Sequence, residues 1–170
     1  ENNPEQQVPI AFGTQVATRA VVESDKEGMD NFTLWGWVRE SDGPKLFFDA
    51  ASVTPSGNYG EKRFWAVGRP YDFFALHPEK MKEEGIAAEV SCNDKGELRV
   101  TGFDSSGMGK DAVDLMTATE TDVTYEGGGT MAPVLLAFKH ELAQVKLTVR
   151  TGEKQAEVSD IRLFGVDYKG

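Results

Sequence analysis

The side chains through which this chain could do chemistry are few. It has two histidines and one cysteine in 170 residues. His140 stands in "PVLLAFKHELAQVKLTV", between an apolar run and an alternating one, and His77 precedes Pro78. Acid–base or nucleophilic work needs a partner at recognisable spacing, such as a serine on a glycine-flanked elbow, an HExxH pair or a cysteine. Neither histidine has one nearby in sequence, so both are expected to be structural, with His140 bonding backbone at a corner. Cys92, in "SCNDKGEL", has no adjacent base or cation to favour the thiolate and is expected to be a packed thiol. No Cys/His cluster has zinc spacing, and no catalytic residue, metal site or cofactor site is expected.

Other stretches resemble binding motifs only in part. The loop "GFDSSGMGK" ends in Gly109 and Lys110 as a phosphate-binding loop does, but Asp104 and Asp111 occupy the places of its first glycine and its hydroxyl residue. Two carboxylates there would repel phosphate, so a surface loop is expected. "CNDKGE" sets acidic oxygens near a glycine without the twelve-residue calcium spacing, and a hairpin turn accounts for it. Trp35, Trp37 and Tyr71 would form a glycan- or protein-binding platform if their rings face solvent, and belong to a sandwich core, with Trp65, if they do not. Arg19, alone among small and β-branched residues in "TQVATRAVVES", reads by residue chemistry as a solvent-facing strand residue.

The elements that would carry these residues are mostly strands. "NFTLWGWV" sets Phe32, Leu34, Gly36 and Val38 against Thr33, Trp35 and Trp37, the pattern of a strand covered on both sides. "AAEVSCNDKGELRV" predicts a hairpin around Asn93 to Gly96. "AQVKLTVR" and "DIRLFGVDY" alternate cleanly, and further strands are expected at Val8 to Gly13, Val16 to Val22, Leu46 to Phe48, Arg63 to Val67, Tyr71 to Leu76 and Leu135 to Phe138. Short helical turns are expected in "HPEKMKEEG", with Gly85 as a left-handed cap, and in "KDAVDLMTAT". Together these predict an all-β fold, an antiparallel sandwich with one or two short helical turns. The polar, amide-rich "ENNPEQQ" (residues 1–7) reads as a tether, and residues 8–170 as one domain. A formal charge of -10, from 28 acidic and 18 basic residues, argues against nucleic acid as a partner. No window approaches the roughly 18 consecutive apolar residues of a membrane-spanning helix.

Five fragments in order resemble the fimbrillin family, including its Mfa-like branch of type V pilus subunits. They are "IAFGT" (Ile10 to Thr14), "TRA" (Thr18 to Ala20), "FWAVGRPYDFFALHP" (Phe64 to Pro78), "DLMTAT" (Asp114 to Thr119) and "VLLAFKHELAQVKLTV" (Val134 to Val149). The resemblance covers nearly the whole chain and implies the N-terminal one of two domains, a transthyretin-like sandwich. It implies an exported lipoprotein of the outer membrane and cell surface, with "ENNPEQQ" similar to the tether that follows a lipidated cysteine. It further implies that an arginine-specific protease cuts between Arg19 and Ala20, and that the freed strand, with Val8, Ile10 and Phe12 on one side, is exchanged for a donor strand of another fimbrial subunit. The alternative the resemblance leaves open is an adhesin module of similar fold that does not polymerise and binds host or bacterial surface glycans or proteins.

Overall fold

In "NFTLWGWV" every residue from Phe32 to Val38 is buried, although side chains on a strand point alternately to opposite faces. Only a strand inside a sheet that is covered on both sides can satisfy that pattern. The computed structural model, which describes residues 7–17, 29–104 and 113–142, contains such a sheet. Its strands are β1 (Phe12–Val16), β2 (Phe32–Glu40), β3 (Gly43–Val53), β4 (Pro70–His77), β7 (Met116–Thr124) and β8 (Val134–His140), in the order β1-β8-β7-β4-β2-β3. A separate hairpin pairs β5 (Glu89–Cys92) with β6 (Leu98–Thr101).

The two faces of the sheet hold two apolar clusters. Phe32, Leu34 and Val38 of β2 join Phe73 and Ala75 of β4, Leu136 and Phe138 of β8, and Phe12 in the larger one. Trp35 and Trp37 join Phe74, Leu76, Met81 and Phe103 in the smaller one, against which Val90, Cys92, Leu98 and Val100 of the hairpin pack. The hairpin tip touches the sheet closely, since a Cβ on Gly96 would lie 2.1 Å from Phe74 Cε1. Gly36 is the one small residue in the middle of β2, and a Cβ there would meet Phe48 Cδ2 at 2.9 Å and Phe73 Cδ1 at 3.1 Å. The larger cluster is therefore packed down to backbone at that point.

The all-β expectation holds, with differences in detail. The sheet is mixed rather than antiparallel throughout, because β1 runs parallel to β8 in the register Phe12↔Val134 to Val16↔Phe138. Alternation tells which face a strand buries, but not which neighbour it chooses, and no hairpin ties these two strands together. In "KDAVDLMTAT", of which residues 113–119 are described, a strand begins at Met116 within the stretch where a helical turn was expected. Met116 and Ala118 are buried while Thr119 is exposed, a period of 2 that the β-branched threonines favour. "HPEKMKEEG" forms the single short helical turn expected, with Glu84 N donating to Lys80 O (2.9 Å) inside a run of turns too brief for a helix. The carbonyl of Met81 accepts from both Ile86 N (2.8 Å) and Ala87 N (3.1 Å), folding the chain back before a second helical turn can start. Gly85 does take the left-handed conformation, at φ 70°. The Arg63 to Val67 stretch contributes one bridge, Phe64 to Pro9, and the Val8 to Gly13 strand starts at Phe12. Residues 18–22, Val145 to Val149 and Ile161 to Leu163 lie outside the described residues.

Beside β2 a charged group is fixed at the sheet surface. Arg39 donates to both oxygens of Asp72, from Nε at 2.8 Å and Nη2 at 2.6 Å, and from Nη1 to Asp122 at 3.0 Å. Asp72 also accepts from Asp122 N at 2.8 Å, where β4 and β7 slip register and Asp122 turns to φ 62°. Burial pushes the Asp72 carboxyl up, but the Arg39 hydrogen bonds, the Asp122 amide and the Arg39 charge together hold it below the ordinary 3.8. A carboxyl depressed in the folded state stabilises the fold fully above the unfolded value, and that contribution is lost as pH falls through the lower folded value. Asp72→Asn is therefore expected to cost about 1–2 kcal/mol at neutral pH, less than a fully buried pair because the Arg39 side chain is 44% exposed. The variant should also show a weaker fall in stability below about pH 4 than the parent, measured by urea unfolding at several pH values. Equal acid slopes would remove Asp72 from the account.

Candidate functional site

Residues 8–17 lie at one edge of the large sheet, yet their backbone is bonded on both sides. On the inner side, Val134 N donates to Ala11 O (2.8 Å) and Ala17 N donates to Phe138 O (2.9 Å), framing the parallel pairing of β1 and β8. On the outer side, the loop that returns from β3 closes over the chain. Ile10 N donates to Arg63 O (2.8 Å), Trp65 N to Val8 O (3.0 Å), and the Tyr59 hydroxyl to Ile10 O (2.6 Å). Thr14 Oγ1 adds a bond to Pro55 O at 2.8 Å. The alternation of "VPIAF" sends Val8 (9% exposed), Ile10 (2%) and Phe12 (4%) inward while Pro9 stays exposed. Phe12 is met edge-on by Phe73, Tyr59 and Phe48, with ring centroids at 5.2, 5.6 and 5.7 Å. Burial then fades, and Gln15, Val16 and Ala17 are exposed.

A family model described as fimbrillin-like matches residues 18–170. The chain belongs to the fimbrillin-like family. No curated protein and no solved structure matches it significantly. Fimbrillin-like proteins are structural pilus subunits, which gives this chain, broadly, the role of a surface-exposed pilus component that interacts with other subunits. The matched region begins directly after the segment just described, so the strand in the groove precedes it.

Of the residues singled out from the sequence of this fimbrillin-like chain, Val8, Ile10 and Phe12 line one buried side together. Arg19 and Ala20 lie outside the described residues. Trp35, Trp37 and Tyr71 are a correction: they are 5%, 7% and 1% exposed, so they form no solvent-facing platform. The cause is the two-sided cover of the sheet, with Trp37 against Phe74 at 5.8 Å and Tyr71 meeting Trp65 edge-on at 4.9 Å. Cys92 is partly buried, and burial pushes its thiol up to about 12, which makes it a poor nucleophile.

Backbone bonding, expected of His140, is found at His77 instead. His77, at the end of β4, is the one bonded to backbone, with Nδ1 3.0 Å from Asp114 O and Nε2 buried without a hydrogen-bond partner. His140 pairs instead with a side chain, its Nδ1 2.8 Å from Asp114 Oδ1. Both imidazoles thus converge on Asp114, which precedes β7, because His77 pairs with Met116 and Met116 with His140 across three adjacent strands. Among the described residues no group of three or more His, Cys, Asp or Glu is arranged to hold a metal ion.

Sequence reading missed the other half of the groove. Tyr59, Gly57 and the backbone of Arg63 hold the N-terminal segment, and Gly57, at φ 83°, comes so near that a Cβ would lie 2.1 Å from Phe12 O. The available signal was the pair of glycines flanking one tyrosine in "SGNYG", a loop shaped to bring backbone and a hydroxyl against another chain segment. On its far side the same loop borders an open cleft of about 410 Å³ between Phe48, Asp49 and Ala51 of β3 and Tyr59 to Arg63. The Arg63 guanidinium lies over the rings of Phe47 (4.9 Å) and Phe48 (5.3 Å), fixing the loop to β3.

Proposed function

We propose that this chain is a structural subunit or accessory component of type V pili that assembles by proteolytic processing and strand exchange. An arginine-specific protease cuts between Arg19 and Ala20, the segment carrying Val8, Ile10 and Phe12 departs, and a strand of a neighbouring subunit takes its place. The observation that supports this is the doubly bonded N-terminal segment at the sheet edge, close in sequence to Arg19. Its loss strips β8 of a partner and opens an apolar groove. A sheet with an unpaired edge and an exposed apolar trough binds an added strand through main-chain bonds and side-chain pockets at alternate positions. The same proposal takes residues 1–7 as a tether, residues 8–170 as one transthyretin-like sandwich, and the precursor as an exported lipoprotein of the outer membrane.

The test is limited arginine-specific proteolysis of the full chain, followed by gel analysis without boiling. The first cut is expected after Arg19, with higher-order species then appearing in the presence of a donor subunit. Arg19→Ala should abolish both. A first cut elsewhere, or ladders that persist in Arg19→Ala, would reject processing at this bond.

A further inference from the structure

Resting on that strand-exchange reading, we infer that the groove selects its incoming strand by direction and by one aromatic side chain. The donor runs parallel to β8, carries apolar residues at its first and third positions, and seats an aromatic ring at its fifth position where Phe12 now lies.

Direction is set by groups on both walls. The inner wall offers the parallel ladder from Phe12↔Val134 to Val16↔Phe138, opened by Val134 N donating to Ala11 O. The outer wall runs the opposite way, with Phe64 bridged to Pro9. The Tyr59 hydroxyl accepts from Arg63 N (3.3 Å), so its proton is directed to Ile10 O (2.6 Å) and the third donor position must present a carbonyl there. A strand entering in reverse would set its amides and carbonyls out of step with both walls at once.

The side-chain requirement follows from what surrounds each position. Val8 and Ile10 are both buried in the larger apolar cluster, Ile10 the more deeply, and both are aliphatic positions. Phe12 is different, because Phe73, Tyr59 and Phe48 all turn their rings edge-to-face against it, at interplanar angles of 83°, 74° and 74°. That arrangement matches ring edges to ring faces, and an aliphatic side chain leaves part of the space empty. The second position is permissive, since Pro9 is exposed and has no N–H to offer. The groove therefore fits a segment patterned apolar, any, apolar, any, aromatic, and disfavours an all-aliphatic strand of the same length.

The experiment uses the full chain after arginine-specific cleavage and removal of the released fragment, titrated with fluorescent peptides copying residues 7–17. The natural peptide should bind, and peptides with Phe12→Tyr or Phe12→Trp should stay close to it. A Phe12→Ala peptide should bind on the order of a hundredfold more weakly, and a peptide of reversed sequence should not compete. Equal binding of the natural and Phe12→Ala peptides would overturn the aromatic requirement while leaving strand exchange intact, and equal binding of the reversed peptide would overturn the direction. If cleavage releases no fragment, or the natural peptide does not bind the cleaved chain, strand exchange itself fails and the selection rule falls with it.

Discussion

Phe73→Ala is expected to lower the stability of the fold by about 3–5 kcal/mol, with a value in the upper half of that range. Phe73 is fully buried on β4, in the interior of the large sheet. Its ring meets Phe12 at 5.2 Å and Trp65 at 6.1 Å edge-on, lies tilted to Phe48 at 6.2 Å, and stacks on Tyr71 at 6.0 Å with an interplanar angle of 7°. Below it is Gly36, which has no side chain to move into the vacated space. The cavity would therefore persist, and the cost of a truncation grows with the cavity left behind. Against a total of about 5–15 kcal/mol for a domain, this is a large fraction. Urea unfolding followed by tryptophan fluorescence measures it, since Trp35, Trp37 and Trp65 are all buried. A loss below about 1 kcal/mol would mean that the aromatic cluster repacks and that Gly36 does not hold the cavity open. Because Phe73 also forms one wall of the Phe12 site, the variant should loosen the N-terminal segment along with the core.

That coupling explains what the sequence made legible and what it did not. "NFTLWGWV" announces its two-sided burial, because a strand with bulky residues on both faces has few places to go in a domain of this size. Val8, Ile10 and Phe12 were readable as one side by a different pattern, their alternation with Pro9 and Ala11. What they pack against was not readable, since β8 and the Tyr59 loop are far away in sequence and are brought to the segment only by the folded sheet. Period alone does not encode the direction of a strand pair, so the parallel β1–β8 ladder was out of reach. Trp35, Trp37 and Tyr71 remained ambiguous because an aromatic side chain suits a core and a binding face equally well. The decision came from the β5–β6 hairpin covering Trp35 and Trp37 on one face, and from Trp65 and Phe73 packing on Tyr71 on the other. The histidine pair on Asp114 is likewise a product of register, with three strands setting their ends side by side.

Gly57→Ala is expected to release the N-terminal segment more than it destabilises the rest of the fold. Gly57 combines two constraints that no other residue type meets. Its φ of 83° is costly for any residue with a Cβ, by about 1–2 kcal/mol. An added Cβ would also lie 2.1 Å from Phe12 O and 2.9 Å from Phe12 C, both backbone atoms that cannot rotate away. The loop must therefore lift, and with it go the Tyr59 hydroxyl bond to Ile10 O and the Arg63 carbonyl bond from Ile10 N. Each such bond is worth about 1 kcal/mol, so the local loss should exceed roughly 2 kcal/mol. Gly60→Ala separates the two causes. Gly60 has a similar φ of 85° but nothing within 4 Å of its Cβ position, so it carries the conformational cost without the collision. Hydrogen exchange reads the difference directly: the amides of Ile10 and Trp65 should exchange much faster in Gly57→Ala than in Gly60→Ala, while those of β2 and β4 change alike in both. If the two variants expose Ile10 equally, the close approach of Gly57 to Phe12 does not hold the strand.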